Sequence, residues 1–281
     1  MITAVLTDSA SDISPAQARA FGVEVVPIWI VYSDRRLRDG VDIDRATFYD
    51  RLRNDRDLPF TEPPTEEEFA AAFAVHVEAG REVVAPIVSS GLSKTYATAR
   101  AAASRFGSAV HVVDSKTLSG GLLLQSMIAA DLAKSGASAA EIVHRLEALI
   151  ADQRGNAVMA DMSYLGRSGR INKAIATLGT MLKVCPVLRI ANGAVETAAQ
   201  ARTFEKAQEL MIEVAVRQLE RYDNRRFALG HVHAPQLGSA MVAALRAKLG
   251  GEPKAIIEYE VGPGVSVNTG PDGLAIYSVA G

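Results

Sequence analysis

The sequence predicts an α/β protein made of two domains, and three observations carry that prediction. The chain has 281 residues, which is longer than the size at which one hydrophobic core usually keeps growing. Short runs of β-branched residues alternate with longer helical patterns, as is typical of parallel strands joined by helices. Hydrophobic residues make up 48% and charged residues 22% of the chain, an ordinary globular composition that argues against disorder.

The first half of the chain shows this alternation most clearly. Strands are expected at 3–7, 23–31, 82–88 and 110–113, and helices at 14–21, 65–79, 93–106 and 119–133. The strand candidates are apolar on both faces and are joined to the helices by short connections. These features favour a doubly wound sheet of parallel strands.

A polar stretch at 152–156, after a helical pattern at 139–151, marks the predicted domain boundary. It divides the chain into an N-terminal domain, 1–153, with a parallel sheet, and a C-terminal domain, 154–281, with a mixed sheet. Within the second domain, Asn192-Gly193 between two apolar runs is a strong hairpin signal. The other elements expected there are strands at 157–160, 187–190, 194–198 and 227–231, helices at 172–183, 203–220 and 236–249, and three closing strands.

Composition and charge exclude several classes of protein. The formal net charge of −2 gives no reason to expect a nucleic-acid partner. The single cysteine, Cys185, excludes a disulfide framework and a cysteine-based zinc site. The uncharged stretch between Lys116 and Asp131 is too short to span a bilayer. Because Asp8 and Asp12 interrupt the N-terminus before an apolar run develops, we expect no signal peptide and a cytoplasmic location.

The charge is unevenly distributed along the chain. Residues 1–150 hold 15 basic and 20 acidic side chains, whereas residues 151–281 hold 15 basic and 12 acidic ones. The C-terminal half is therefore the place to look for an acidic partner or a phosphate, although a solvated surface explains the same cations.

Hydroxyl-bearing residues collect at three predicted strand ends: 7–12, 89–95 and 114–121. In an open α/β sheet, ligands bind at the carboxyl ends of the strands, where helices begin. Free N–H groups and hydroxyl donors at such junctions suit an anion, and no phosphate-binding glycine loop points to a nucleotide. The supporting residues expected for this polar site are Ser9, Ser90, Gly91 and Asp114.

Two catalytic interpretations compete with anion binding. Gly91-Leu92-Ser93 resembles half of a nucleophile elbow, but Thr95 stands where the second glycine would be, and a hydrolase of this kind needs a histidine base. His231 and His233 could ligate a metal from one face of a strand. No further ligand spacing supports a metal site, so a structural role is favoured for both histidines.

Read in order along the chain, these junctions resemble the DegV family, the fatty-acid-binding subunits of bacterial fatty acid kinase. The resemblance covers nearly the whole sequence, and each motif is weak alone but strong in this order. The matching segments are 7–12, 39–43 with 48–49, 89–96, 113–115, 164–165 with 168–171, 201–203 and 269–271.

The resemblance implies a fatty acid in a buried tunnel of the first domain, with its carboxylate at the domain interface. It implies that Thr61 and Ser93 bind the carboxylate, with Arg170 from the glycine–arginine motif and Asn268 from the closing loop. It also implies that a partner, the ATP-dependent catalytic subunit of fatty acid kinase, phosphorylates the bound acid, and that Arg202 helps to dock that kinase. The chain itself would then need no cofactor and would perform no bond chemistry.

The sequence departs from the family pattern at two points. Glu62 stands in Thr61-Glu62-Pro63-Pro64-Thr65 where the family has Thr-Ser-Gln-Pro-Ser, and we expect its carboxylate to face solvent because it would repel a bound anion. Asn268 stands where the family often has histidine, so it can hydrogen-bond but cannot carry a proton. Two alternatives stay open: an esterase or thioesterase that uses Ser93, and a binder of another amphipathic anion, such as a prenyl or sterol acid.

Overall fold

The computed structural model describes residues 2–55, 57–169, 184–219, 224–249 and 252–280. It shows an α/β protein whose first half forms a parallel sheet and whose second half forms a mixed sheet, which confirms the predicted fold class. The parallel sheet has the strand order β2-β1-β6-β7. These strands are β1 (Thr3–Asp8), β2 (Val23–Val26), β6 (Glu82–Ile87) and β7 (Val110–Asp114).

A small antiparallel sheet follows β2 and carries one of the predicted site residues. It consists of β3 (Trp29–Val31), β4 (Arg36–Arg38) and β5 (Phe60–Glu62), in the order β4-β3-β5. The prediction of one continuous strand over 23–31 is therefore wrong. Pro27 has no N–H to donate, and the N–H of Ile28 donates to Ser9 Oγ at 3.0 Å instead of to a neighbouring strand.

The mixed sheet has the order β10-β9-β8-β13-β11-β12. Its strands are β8 (Arg154–Val158), β9 (Cys185–Ala191), β10 (Ala194–Ala201), β11 (Arg225–His231), β12 (Ala255–Glu260) and β13 (Leu274–Ala280). The Asn192-Gly193 hairpin is confirmed, with φ of 51° and 81° at the two turn residues. Three closing strands were expected. The structure instead has two, because Pro263 begins a short helix between them.

Ten α-helices lie within the described residues: α1 (Pro15–Phe21), α2 (Arg45–Asn54), α3 (Glu66–Val77), α4 (Thr95–Ala103), α5 (Gly120–Lys134), α6 (Ala139–Asp152), α7 (Ser163–Ser168), α8 (Phe204–Arg217), α9 (Pro235–Leu249) and α10 (Pro263–Thr269). Capping boxes fix the starts of α1, α3 and α6. The helix predicted over 172–183 falls outside the described residues. No described helix is both long and apolar enough to cross a bilayer.

Helix α5 lies between the two large sheets. It packs on β1 and β6 on one side and on β11 and β13 on the other. Leu122, Leu123 and Leu124 are completely buried in a core that is continuous from the first half of the chain to the second. A second apolar cluster lies between the outer face of the mixed sheet and helices α8 and α9. The chain changes sheets at β8, but the division into 1–153 and 154–281 stays a prediction, since the halves share a core.

Two tyrosines from the mixed sheet pack directly on the start of α5. A Cβ atom at Gly120 would lie 2.7 Å from Tyr259 Oη and 2.8 Å from Tyr277 Cδ2. A Cβ atom at Gly155 would likewise meet the Tyr277 ring, and one at Gly230 would meet the Tyr259 ring. The contact between helix and sheet therefore depends on residues without a side chain, because native interiors have no space for an added methyl group.

We therefore predict that Gly120→Ala lowers the free energy of unfolding by about 1–3 kcal/mol, since the added methyl group displaces buried rings. Urea unfolding followed by circular dichroism measures this change. Gly166→Ala is the matched control, because Gly166 lies in α7 with no neighbouring atom within 4 Å of the new Cβ. The control is expected to be neutral or slightly stabilising, by up to about 1 kcal/mol. Equal unfolding midpoints for the two variants would contradict the packing argument.

Candidate functional site

A cavity of about 720 Å³ lies between the two halves of the chain. The first half contributes Ala10, Ile28, Val88 and Leu118 to its wall. Most of its apolar lining comes from the second half, including Met159, Leu188, Ile190, Val232, Val265 and Leu274. The volume is within the usual range for small-molecule pockets, roughly 300–1,000 Å³. The resemblance implied a tunnel within the first domain, whereas the cavity that the structure shows is walled by both halves.

Three of the four predicted carboxylate ligands line this cavity: Thr61, Ser93 and Asn268. They come from β5, from the loop before α4 and from α10. Thr61 is paired with Ile30, which is completely buried, so the threonine lies on the inner face of the small sheet. The fourth, Arg170, falls outside the described residues. The fold thus brings together polar residues that are far apart in sequence.

Ser93 is placed at the start of α4 by hydrogen bonds to Thr95. Its Oγ accepts the backbone N–H of Thr95 at 3.2 Å and lies 2.8 Å from Thr95 Oγ1. A hydroxyl has one proton and two lone pairs, so an oxygen that accepts from the backbone can still donate its own proton. The N-terminus of a helix also favours a nearby negative charge. Ser93 is therefore suited to donate to an anion.

Among the residues that the structure describes, the charged ones in the cavity lining are Glu62 and Lys94, both at its rim. The Glu62 carboxylate is 41% exposed and accepts a hydrogen bond from Arg36 Nη2 at 2.8 Å. The Arg36 guanidinium in turn lies 4.7 Å from the centre of the Trp29 ring. The Arg36 cation thus compensates the negative charge that Glu62 brings to the rim. Lys94 is exposed beside Ser93.

The supporting residues divide into two groups. Ser90 and Gly91 line the cavity. Ser9 and Asp114 instead shape the loops behind it: Ser9 Oγ accepts the N–H of Ile28, and Asp114 accepts the N–H of Ser90 at 3.1 Å. Burial opposes the charged form of Asp114, but hydrogen bonds from Lys116 and Ser90 outweigh burial and lower the pKa of this carboxyl. Asp114 therefore orders the Ser90 loop as a carboxylate.

The tip of the β9–β10 hairpin packs on this same loop. Ser89 Oγ donates to the carbonyl oxygen of Gly193 at 2.9 Å. A Cβ at Gly91 would lie only 2.5 Å from that oxygen. Gly91 therefore serves a close backbone contact between the two halves as well as lining the cavity.

Three fully buried aspartates lie close to the cavity wall. Burial raises the pKa of Asp12 to about 7, and it raises the pKa values of Asp8 and Asp39 to about 6. Asp12 Oδ2 accepts from Ser119 Oγ at 2.5 Å, and Asp12 Oδ1 accepts the N–H of Gly262 at 2.8 Å. Asp39 Oδ2 accepts the N–H of Gly264 at 3.0 Å. Asp8 and Asp12 belong to a junction that the sequence predicted to be polar, but no local pattern showed that their carboxyl groups would be buried.

The remaining predicted residues lie away from the polar lining of the cavity. His231 is buried, and its Nδ1 accepts the N–H of Ala234 at 3.3 Å, while the His233 ring stacks on Tyr49 at 4.7 Å between centroids. Within the described ranges, no group of histidine, cysteine or acidic residues has the arrangement of a metal site. Arg202 is exposed on the turn between β10 and α8.

Comparison with known proteins connects this architecture to one family. A family model described as "Uncharacterised protein, DegV family" matches residues 2–280. A DegV domain-containing protein of Deinococcus radiodurans is 32% identical over 277 residues, which cover 98% of each chain.

Solved structures with the same fold extend the comparison. A DegV family protein from Thermus thermophilus, described by its fatty acid binding, superposes with a TM-score of 0.90 at 30% identity over 100% of both chains. A stearic-acid-binding protein from Eubacterium ventriosum gives a TM-score of 0.92 at 25% identity, covering 99% of this chain and 98% of that one. DegV of Bacillus subtilis, described as a fatty acid binding protein, gives 0.89 at 25% identity over 100% of both chains.

Proposed function

The chain belongs to the DegV family, and we propose that it binds a long-chain fatty acid. The observation that carries this proposal is a cavity of about 720 Å³ with a largely aliphatic wall and the polar side chains Thr61, Ser93 and Asn268 in its lining. The fatty-acid-binding relatives with the same fold support it. The acyl chain lies against the aliphatic wall, and the carboxylate lies against the three polar residues.

Burial of the acyl chain supplies most of the binding free energy. Each buried methylene contributes about 0.8 kcal/mol, so a long-chain acid gains on the order of 10 kcal/mol before association costs are subtracted. The aliphatic side chains of Leu188, Ile190 and Val265 offer no competing hydrogen bonds along the wall. This composition favours a hydrocarbon chain over a polar ligand of the same size.

Hydroxyl and amide donors are needed at the other end of the ligand. A carboxylate transferred from water without hydrogen-bond partners would cancel much of the gain from the acyl chain. Ser93 donates from the start of α4, and Thr61 and Asn268 donate from two other elements. We include Arg170 in the proposed carboxylate site on the strength of its motif alone.

We further propose that the bound acid is presented to an ATP-dependent kinase, which converts it to an acyl phosphate. In this proposal the chain is a lipid-binding subunit rather than an enzyme, and it acts in the cytoplasm, where ATP is available to the kinase. The exposed Arg202 lies on a turn outside the cavity lining, which suits a docking residue more than a ligand of the carboxylate.

The proposed function predicts that protein purified from a bacterial host carries a fatty acid in stoichiometric amount, because an apolar cavity of this size favours a hydrocarbon occupant. Organic extraction followed by mass spectrometry detects the acid. The delipidated protein is expected to take up palmitate or oleate again. The proposal fails if the extract contains no fatty acid and the delipidated protein takes up neither acid.

Ser93→Ala is predicted to weaken fatty-acid binding by about 1.5–3 kcal/mol, since it removes a hydrogen bond to a charged group. Titration with a fluorescent fatty acid measures the change. Ser104→Ala is the control, because Ser104 is an exposed serine that follows α4 at its far end, and its hydroxyl donates to the carbonyl of Ala101. Unchanged affinity in Ser93→Ala would place the carboxylate elsewhere in the cavity.

Arg202→Ala is predicted to retain bound fatty acid but to support little acyl phosphate formation with a cognate kinase, because exposed cations at a rim mainly steer and orient a partner. Radiolabelled phosphate transfer and lipid content are measured on the same preparation. Arg217→Ala is the control, since Arg217 is also exposed but lies at the opposite end of α8. Loss of lipid from Arg202→Ala would instead assign Arg202 to the binding site.

A further inference from the structure

Helix α10 forms one wall of the cavity near its polar residues. Val265, Asn268 and Thr269 from this helix line the cavity. The helix has only seven residues, and it is flanked by Gly262 and Gly270. Because Asn268 belongs to α10, the position of this helix determines where Asn268 lies in the cavity wall.

Carboxylates from the first 40 residues hold the beginning of this helix. Asp12 Oδ1 accepts the N–H of Gly262 at 2.8 Å, and Asp39 Oδ2 accepts the N–H of Gly264 at 3.0 Å. Asp12 is 1% exposed and Asp39 is 7% exposed, so water does not replace either bond in this conformation. A helix near the end of the chain is thus fastened to the first half by two buried side chains.

Asp12 also connects this helix to a second part of the cavity wall. Its other oxygen accepts from Ser119 Oγ at 2.5 Å, and Ser119 lines the cavity just before α5. Ser119 Oγ lies 2.8 Å from Tyr259 Oη, which accepts the N–H of Gly120. A single carboxyl group therefore joins α10, the start of α5 and the mixed sheet.

We infer that Asp12 and Asp39 are positioning residues that form a proton-linked latch, holding α10 closed on the cavity. The latch consists of these two carboxyl groups and the N–H groups of Gly262 and Gly264. Its effect on a fatty acid rests on the proposed function, whereas the movement of α10 can be measured without any ligand.

Desolvation determines the direction of this linkage. Burial raises the pKa of Asp12 to about 7 and that of Asp39 to about 6, against an ordinary value of 3.8. Separation of α10 from the first half would hydrate both groups and lower these pKa values. The closed form therefore binds more protons than the open form. Closure is favoured in acid and is lost as the pH rises through the pKa values of the closed form.

The charged and titratable groups around Asp12 and Asp39 do not change the direction in which pH shifts the closure of α10. Arg45 favours the charged form of both carboxyl groups, yet the pKa values remain raised despite it. The neighbouring Asp8 is itself buried, with a pKa of about 6, and Asp39 contributes to that increase. Burial raises the pKa values of Tyr49, Tyr259 and Tyr277, so these hydroxyls remain neutral between pH 6 and 8.

A protonated Asp12 can still accept from Gly262 through its carbonyl oxygen while its O–H donates to Ser119.

The latch predicts that the dissociation constant for cis-parinaric acid rises about tenfold between pH 6 and pH 8, the limit for one group with a pKa of about 7 that ionises on opening. Asp12→Asn is expected to remove most of this slope and to bind at pH 8 about as tightly as the parent does at pH 6. Asp39→Asn is expected to remove a smaller part. Asp8→Asn is the matched control and should keep the slope, because Asp8 is equally buried but accepts only from Ala10 and Val88.

Each variant is compared with the parent at the same pH, so the titration of the ligand itself cancels. A flat parent profile would overturn the inference. It would also be overturned if Asp12→Asn were weakened equally at both pH values, or if Asp8→Asn lost the slope to the same extent.

Hydrogen exchange of the backbone amides over 262–270 tests the latch without a ligand. In the parent, the protection factor of this segment is expected to fall between pH 6 and pH 8, after correction for the intrinsic exchange rate. In Asp12→Asn it should fall much less, because only the smaller contribution of Asp39 remains. If the parent bound no fatty acid but showed this change, the proposed function would fail and the latch would stand. Constant protection in the parent would overturn the latch.

Discussion

The burial of α5 between two sheets is the constraint on which the rest of the structure depends. A helix covered on both sides must be apolar around most of its circumference, and Leu122, Leu123 and Leu124 at successive positions meet that requirement. The sheets can approach the start of the helix only because Gly120 and Gly121 leave room for Tyr259 and Tyr277. The cavity lies beside this junction, since Ser119 and Tyr277 belong to its wall.

The low polarity of the interior explains both the aliphatic wall of the cavity and the protonation of the carboxyl groups that lie close to it. An environment that stabilises a hydrocarbon chain also disfavours charge on a carboxyl group. Asp12 and Asp39 therefore take up protons near neutral pH, although each receives a backbone N–H that favours its ionised form. A neutral latch also adds no repulsion to an anionic ligand. At the rim the environment is different, and there the exposed Glu62 side chain pairs with Arg36.

Local patterns predicted the elements whose structure is determined locally. The parallel strands and the Asn192-Gly193 turn follow from β-branched runs and from the positive φ that this dipeptide tolerates. The break at Pro27 and the helix α10 were missed, because the partners that fix them lie elsewhere in the chain: Ser9 for Ile28, and Asp12 and Asp39 for α10. For the same reason, only the family resemblance connected Thr61, Ser93 and Asn268. Nothing in the sequence near Gly120 signals the two tyrosines that pack on it.

Two of the serines in the cavity wall, Ser93 and Ser119, lack the geometry of a nucleophile for acyl transfer. A serine nucleophile needs a base to accept its proton, and the Ser93 hydroxyl instead lies 2.8 Å from the hydroxyl of Thr95. Ser119 has the backbone angles of a residue on a sharp turn, φ 54° and ψ −133°, and Asp12 accepts its hydroxyl. However, the N–H of Gly120, which would stabilise an oxyanion, donates to Tyr259 Oη. In the part of the chain that the structure describes, one serine thus has no base and the other has its oxyanion donor already occupied.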